Sequence, residues 1–503
     1  MTDPDAVVVG SGPNGLVAAC RLARSGLRVL VLETNPRRPG GALGSEEATL
    51  PGFVHDVGAA FFPFGTVSPA FRELDLERYG VEWLYGEIES CHPALDGSVA
   101  WISREPDARA AGFGSGRDGE TFARLAEWHD SVAEDLMSGL LRPFPTLAPL
   151  LSLGLSGLWR VARIFLSSGR GLSQRLFESE AARRVLPALA LHTDVAPSDR
   201  FGAGFGYLLS LSAATAGFPV PRGGARAITN ALVTLLEAHG GRLRLGARVD
   251  RVIVKKGRAV AVKLADGEEI AARHAVLADT GAPALYLKLL DERHVPGRVR
   301  SKMRRFARGF GTFKVDWALS GPVPWSAEPA RRSAVVHTGE SLDDLDRFSA
   351  EVRAGQLPER PYLVIGQQSL FDDSRAPRNQ HTLYAYSRVP SELPWDDARQ
   401  VFADRIEQRI EELAPGFRGK IQGRAVWAPP DLEAQNANLV GGDIAGGSGA
   451  WNHQLVFRPV FPYFRYRTPV ARLYLCSSYA HPGAGVHGMC GDNAALMALR
   501  DIG

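Results

Sequence analysis

Six residues near the start, Gly10-Ser11-Gly12-Pro13-Asn14-Gly15, follow an apolar run, Ala6-Val7-Val8-Val9, and precede a helical pattern from Leu16. A glycine turn between a strand and a helix is built for a dinucleotide pyrophosphate. Gly10 permits the tight bend, Gly12 lets backbone approach the phosphates, and Gly15 lets the helix pack on the strand, with Pro13 and Asn14 completing the loop. Glu33 ends the next apolar strand, residues 27–32, about 20 residues on, placed to accept hydrogen bonds from the ribose hydroxyls of an adenosine. A carboxylate there repels a 2′-phosphate, which disfavours NADP. A glycine turn without a ligand is the bland alternative, and strand, turn, helix, strand and acid together argue against it.

A second glycine doublet, Gly40-Gly41, with Arg38 just before it, follows the acidic strand and favours FAD over NAD as the dinucleotide. The third element is the small-residue loop His481-Pro482-Gly483-Ala484-Gly485-Val486-His487-Gly488, running into the last helical stretch. A helix N-terminus carries about half a positive charge, suited to a reduced, anionic flavin ring. The alternative is a plain helix-capping turn.

The elements that position these loops read as α/β. Strand signals thin out between residues 69 and 217, which predicts a mainly helical insertion, with helices over 121–141 and 171–191. They return as a helix (227–239), a meander of short strands (242–245, 249–255, 259–264) and a buried strand (275–277). Strands and helices then mix from 302 to 465 before a closing strand, glycine loop and helix. The expected division is a Rossmann-like FAD-binding domain in three segments, 1–68, 218–300 and 466–503, and a mixed α+β substrate domain in two, 69–217 and 301–465. There is no internal repeat.

Composition sets the outer limits. With 45% hydrophobic and 22% charged residues in 503, the chain is globular. A net charge of +3 gives no nucleic-acid footprint. Four cysteines without a C-x-x-C pair suggest neither a disulfide framework nor a metal site, and fit a reducing cytoplasm, as does an N-terminus that passes directly into its first strand. Residues 143–159 carry no charge and precede Arg160 and Arg163, a pattern for an interfacial helix with peripheral membrane contact over 143–163 or, equally, for a buried helix or tunnel wall.

Taken together, these stretches resemble the phytoene desaturase (carotenoid desaturase and isomerase) relatives, close to the pyridine nucleotide-disulphide oxidoreductase-domain proteins. Leu50-Pro51-Gly52-Phe53-Val54-His55-Asp56-Val57-Gly58 and Pro221-Arg222-Gly223-Gly224 add to the match. The resemblance spans the chain and implies an amine-oxidase-like flavoprotein fold. It assigns Gly10, Gly12, Gly15, Glu33, Gly40 and Gly41 to the adenosine diphosphate half of FAD, the backbone at Val249 to the adenine, and Gly485, Val486 and Gly488 to the flavin ring. It also suggests a flavin-side role for Lys314, whose alternative is a salt bridge with Asp316. Residues 438–444, Gln454 and Arg458-Pro459 look like the close relatives, with no assigned role. Ala484 and His487 depart from the carotenoid desaturase loop, which puts a carotenoid substrate in doubt; His487 is either a proton donor or acceptor beside the flavin or a packed neighbour.

The expected activity is hydride transfer at flavin N5 on carbon–carbon bonds of an apolar or polyene-like substrate, by desaturation, saturation or isomerisation, with oxygen or a quinone as electron acceptor. Phe61, Phe62 and Phe64 are candidates for an apolar wall and equally for plain core. A flavin amine or amino-acid oxidase and a noncatalytic FAD-bound scaffold are the rival readings.

Overall fold

The first strand, Ala6–Val9, is buried along its whole length at the centre of a five-stranded parallel sheet. Its order is Leu473–Leu475, Ala275–Ala278, Ala6–Val9, Val29–Leu32, Arg242–Arg244, so three distant stretches of chain supply it. Near-continuous apolar strands are what a parallel sheet covered on both faces requires. The helix Pro13–Arg24 packs against both Met489–Ile502 and Arg226–Ala238. Its contact with the last helix is so close that a side-chain carbon on Gly491 would fall on the Asn14 carbonyl. The computed structural model describes residues 3–114 and 116–503.

Two strands of the expected meander form, Val249–Lys255 and Arg258–Leu264, and the unread Glu269–Ala271 completes a three-stranded antiparallel sheet, while the expected strand at 242–245 instead edges the parallel sheet as Arg242–Arg244. The second large sheet has seven strands in the order Ile421–Trp427, Gly311–Leu319, His381–Val389, Val364–Gly366, Ser333–His337, Ile88–Pro93, Val99–Ile102. The last two lie within the stretch 69–217, which is mainly helical as expected but also lends these strands to the sheet. Ile88–Pro93 is wholly buried, yet its sequence, Ile-Glu-Ser-Cys-His-Pro, has no apolar alternation and so gives no strand signal. The helix expected over 171–191 is three short ones, Gly169–Leu176, Glu180–Arg183 and Val185–Ala190, broken where the Ser179 hydroxyl caps the second by accepting from Ala182 N–H.

Alternation divides the seven-stranded sheet into unlike faces. Phe313, Val315, Trp317 and Leu319 pack with Leu383, Ala385 and the long helix Trp395–Leu413 on one side. Thr312, Lys314 and Asp316, with Tyr384, Tyr386 and Arg388 on the neighbouring strand, occupy the other face, beneath the helical cap.

The uncharged segment splits into Ala148–Leu151 and Gly154–Phe165, and its apolar side faces outward: Leu155 is 89% exposed and Trp159 67%. Leu147, Leu151 and Leu166 are exposed with them, while Ile164 is buried and Leu150, Val161 and Phe165 pack on the core beneath, so one side of the segment lies open and the other covers the cap. Among the described residues no helix is long and apolar enough to cross a membrane.

Candidate functional site

The glycine loop wraps a carboxylate that the sequence reading missed. Asp279, at the end of the strand Ala275–Ala278, is buried and accepts the Gly15 N–H at 3.0 Å. Side-chain carbons added at Gly10, Gly12 and Gly15 would all press on Asp279, and the one at Gly15 would also meet Gly10 O at 2.4 Å. Burial pushes the Asp279 carboxyl up to about 7, with the nearby Glu33 charge adding to the rise and the Gly15 N–H opposing it. Asn438, within the stretch that had no assigned role, pins the following turn: it accepts from Gly281 N–H at 2.8 Å and donates to Asp279 O at 3.1 Å.

Glu33 follows the strand Val29–Leu32 and holds the loop. It accepts from Ser11 N–H at 2.9 Å, from the Ser11 hydroxyl at 2.5 Å and from Asn35 N–H at 2.8 Å. Gly40 N–H donates to Ser11 O at 3.0 Å, joining the glycine doublet to this loop, and Gly41 faces Gly12 across bare backbone. Arg38 donates to Gly41 O at 3.2 Å and fills the space beside Gly44. Val249 begins a strand whose lead-in runs beside Glu33, since Ala247 N–H donates to Glu33 O at 2.8 Å. Gly10, Gly12, Pro13, Asn14, Gly15, Glu33, Arg38, Gly40, Gly41 and Val249 therefore lie on neighbouring elements.

The second loop meets the first through the packed first and last helices. His487 is buried; its Nδ1 accepts the Met489 N–H at 3.0 Å, leaving the ring proton on Nε2. Burial, with the charges of His481 and Arg458, draws its pKa down to about 4, so the ring is neutral. Phe64 stands 6.3 Å from the His487 ring, and Ser68 Oγ donates to His487 O. Arg458 is the strut of this loop. Its guanidinium donates to Ser478 O, Ala445 O and Gly446 O and lies against Gly483. Further along the loop Gly485 faces His487 and Phe64, Val486 packs on the core of the parallel-sheet domain, and Gly488 faces Val17 and Phe71. Cys476 and Cys490 are buried thiols, and burial pushes Cys490 up to about 12, far from a reactive thiolate.

Lys314 is not brought into the glycine loops. It makes the ion pair with Asp316, at 2.6 Å to Oδ1, over the Tyr384 ring. Asp316 also accepts from Trp427 Nε1 at 2.9 Å and lies 3.5 Å from His55 Nδ1; against the cost of burial, Lys314 and His55 hold its carboxyl below the usual range. Beside it, the two quoted stretches around 50–58 and 221–224 meet at one buried cation. Arg375 donates to Asp56 at 2.9 Å and to Asp372 at 2.7 Å, while Asp56 accepts Ala225 N–H and Asp372 accepts Gly223 N–H. Phe62 is plain core, whereas Phe61 and Phe64 are half-buried, with Phe61 reaching Tyr384 and Phe64 reaching His487.

A glycine-looped parallel-sheet domain joined to a large mixed sheet under a helical cap defines a two-domain dinucleotide-binding oxidoreductase. The profile of the flavin containing amine oxidoreductases matches residues 157–489, and that of the NAD(P)-binding Rossmann-like domain matches residues 8–74. The chain belongs to the flavin-containing amine oxidoreductase family. It is 28% identical to pyridine nucleotide-disulfide oxidoreductase domain-containing protein 2 of Rattus norvegicus, over 99% of this chain and 94% of the relative. It is 27% identical to the phytoene desaturase (neurosporene-forming) of Cereibacter sphaeroides, over 98% and 93%. An oxidoreductase from Methanosarcina mazei shares the fold, with a TM-score of 0.66 at 16% identity over 98% of this chain and 99% of that one.

The protein is an FAD-dependent oxidoreductase, and its residues fit that group. Two buried polar atoms on the loops, Asn14 Oδ1 and His487 Nε2, have no hydrogen-bond partner in the protein. Buried polar groups are nearly always paired, and these two, one on each glycine loop, are free to meet a ligand's polar atoms.

Proposed function

We propose that the protein desaturates, saturates or isomerises carbon–carbon bonds of an apolar, polyene-like small molecule. The observation that carries this reading is the outward apolar ridge Leu147, Leu151, Leu155 and Trp159, which begins beside the flavin loop. At its start the Phe144 ring stands edge-on to His481 at 6.4 Å, and His481 Nε2 lies 3.1 Å from Arg142 O. A ridge of this kind resting on a membrane, with the exposed Arg160 and Arg163 at headgroup level, is where an apolar substrate is collected. The phytoene desaturase among the relatives supports the same substrate class.

FAD supplies the hydride acceptor or donor when bound. The chain supplies position. Glu33 takes the ribose hydroxyls, and Gly10, Gly12, Pro13, Asn14 and Gly15, with Arg38, Gly40 and Gly41, hold the diphosphate region. Val249 would border the adenine, and Gly485, Val486 and Gly488, at the N-terminus of Met489–Ile502, would receive the flavin ring. His487 would offer a neutral Nε2–H, and Lys314 is held in its ion pair with Asp316. The electrons pass to oxygen or a quinone.

Mass spectrometry of what the purified protein releases in organic solvent is the direct test, followed by anaerobic mixing with polyenes and with amines. Release of an unsaturated apolar molecule and bleaching of the flavin by polyenes are the expected results. Bleaching by amines alone would make it an amine oxidase; bleaching by neither, a scaffold.

A further inference from the structure

The inward face of the seven-stranded sheet carries an unbroken run of hydrogen bonds through side chains with no role so far. Tyr386 Oη lies 3.2 Å from His192 Nδ1, and His192 Nε2 lies 2.8 Å from His337 Nε2. His337 Nδ1 is then 3.0 Å from Ser90 Oγ, which is 3.0 Å from His92 Nε2. The rings of His92 and His337 stack at 4.8 Å.

The two ends differ. Tyr386 and His192 lie deep in the protein but are only half-buried, so they border an internal space, together with Phe61 and Leu208. His92 leads into the exposed turn at residues 95–97, and its carbonyl accepts from Arg184, which also bonds Ser98 at the far side of that turn. Burial, with Arg184 beside His92 and Arg388 beside His192, holds these imidazoles neutral: His192 falls to about 3, and His92 and His337 lie well below 6.5. A neutral imidazole has one N–H and one bare nitrogen, so it donates on one side and accepts on the other. A hydroxyl does the same. Between Tyr386 Oη and His92 Nε2 the run therefore has two arrangements that keep every one of its hydrogen bonds, one pointing toward Tyr386 and one away.

We propose that Tyr386, His192, His337, Ser90 and His92 form a proton relay between the substrate space and the surface turn, with Tyr386 Oη taking or giving the substrate's proton. In the desaturation direction a substrate C–H bond breaks and its electron pair becomes the new C=C bond, as the neighbouring carbon loses hydride to the bound flavin. The released proton bonds to Tyr386 Oη while the tyrosine's own proton moves to His192 Nδ1. The Nε2 proton of His192 passes to His337 Nε2, the Nδ1 proton of His337 to Ser90 Oγ, and the serine proton to His92 Nε2. His92 then gives up its Nδ1 proton at the turn. The run ends in its second arrangement with every ring neutral; saturation runs it backward.

The direction of use rests on the function proposed above, whereas the relay is testable without substrate. In FAD-loaded protein labelled with nitrogen-15 at histidine, each ring signal is assigned by its loss in His92→Gln, His192→Gln or His337→Gln. The three rings should stay neutral between about pH 5 and 8, with nitrogen shifts between the protonated and bare limits because both tautomers are populated. Tyr386→Phe removes one oxygen and should drive His192 and His337 to a single tautomer. Rings that titrate near 6.5, or pure-tautomer signals that Tyr386→Phe leaves unmoved, would overturn the relay. With a substrate that reduces the flavin, Tyr386→Phe and His337→Gln should each slow reduction about 100-fold at unchanged KM and abolish its solvent deuterium isotope effect. Undiminished rates in both variants would sink the relay and leave the proposed function standing; failure of every polyene with the unaltered protein would sink that function and leave the nitrogen shifts to judge the relay.

Discussion

The parallel sheet and the seven-stranded sheet handle polarity in opposite ways. At the end of the first, the recognition surface is bare glycine backbone backed by one carboxylate, Asp279. On and beside the inward face of the second, backbone is spent on the ladder and side chains carry the polarity, through Lys314–Asp316, the neighbouring Asp56–Arg375–Asp372 cluster and the imidazole run. A backbone surface fails when a carbon is added, whereas a side-chain surface fails when a partner is removed.

The largest expected effect lies on the side-chain surface. Arg375→Ala leaves Asp56 and Asp372 buried without their shared cation, and should cost about 3–5 kcal/mol of stability in denaturant titration. A loss below about 1 kcal/mol would break the contrast. Next is the backbone surface: Gly15→Ala forces a methyl against Gly10 O and Asp279, an overpacking of about 1–3 kcal/mol. It should weaken FAD retention about 10- to 100-fold, read from cofactor fluorescence on dilution.

A third test joins the two surfaces at Asp279. Its carboxyl is raised to about 7 in the folded protein, so the folded state holds a proton that the unfolded state has released. Its contribution to stability is therefore full below the ordinary carboxylate range near 3.8 and is lost as pH rises to about 7. Asp279→Asn keeps an acceptor for Gly15 N–H and should remove that slope, making the variant the more stable protein at pH above about 7. Equal pH profiles for the two proteins would show that the loop does not bury this charge. The smallest effect is on the ridge. Leu155→Ser with Trp159→Ser should change stability by only about 0.5 kcal/mol, since both side chains are exposed, yet abolish co-sedimentation with anionic vesicles.

The same contrast explains what could be read beforehand. The dinucleotide loop, Glu33, the Gly40-Gly41 doublet and the loop before the last helix are local patterns, because glycine and a fixed spacing are themselves the chemistry. The polar wall is not local. Asp279 meets Gly15 across 264 positions, and Asp56 meets Arg375 across 319. His92 and Ser90 sit in a strand whose polar residues hid it from periodicity, so neither the strand nor the imidazole run had a signal. The outward turn of Leu155 and Trp159 was likewise undecided, because an apolar run without charge looks the same whether it faces core or surface.

The packing of Met489–Ile502 onto Pro13–Arg24, with Gly491 on Asn14, sets an order of events during synthesis. The glycine loop leaves the ribosome early, but the helix that packs over it and the edge strand Leu473–Leu475 follow hundreds of residues later. At about 5–20 residues per second the nascent loop waits tens of seconds for them. Through that interval the nascent loop lacks the helix that packs against its own.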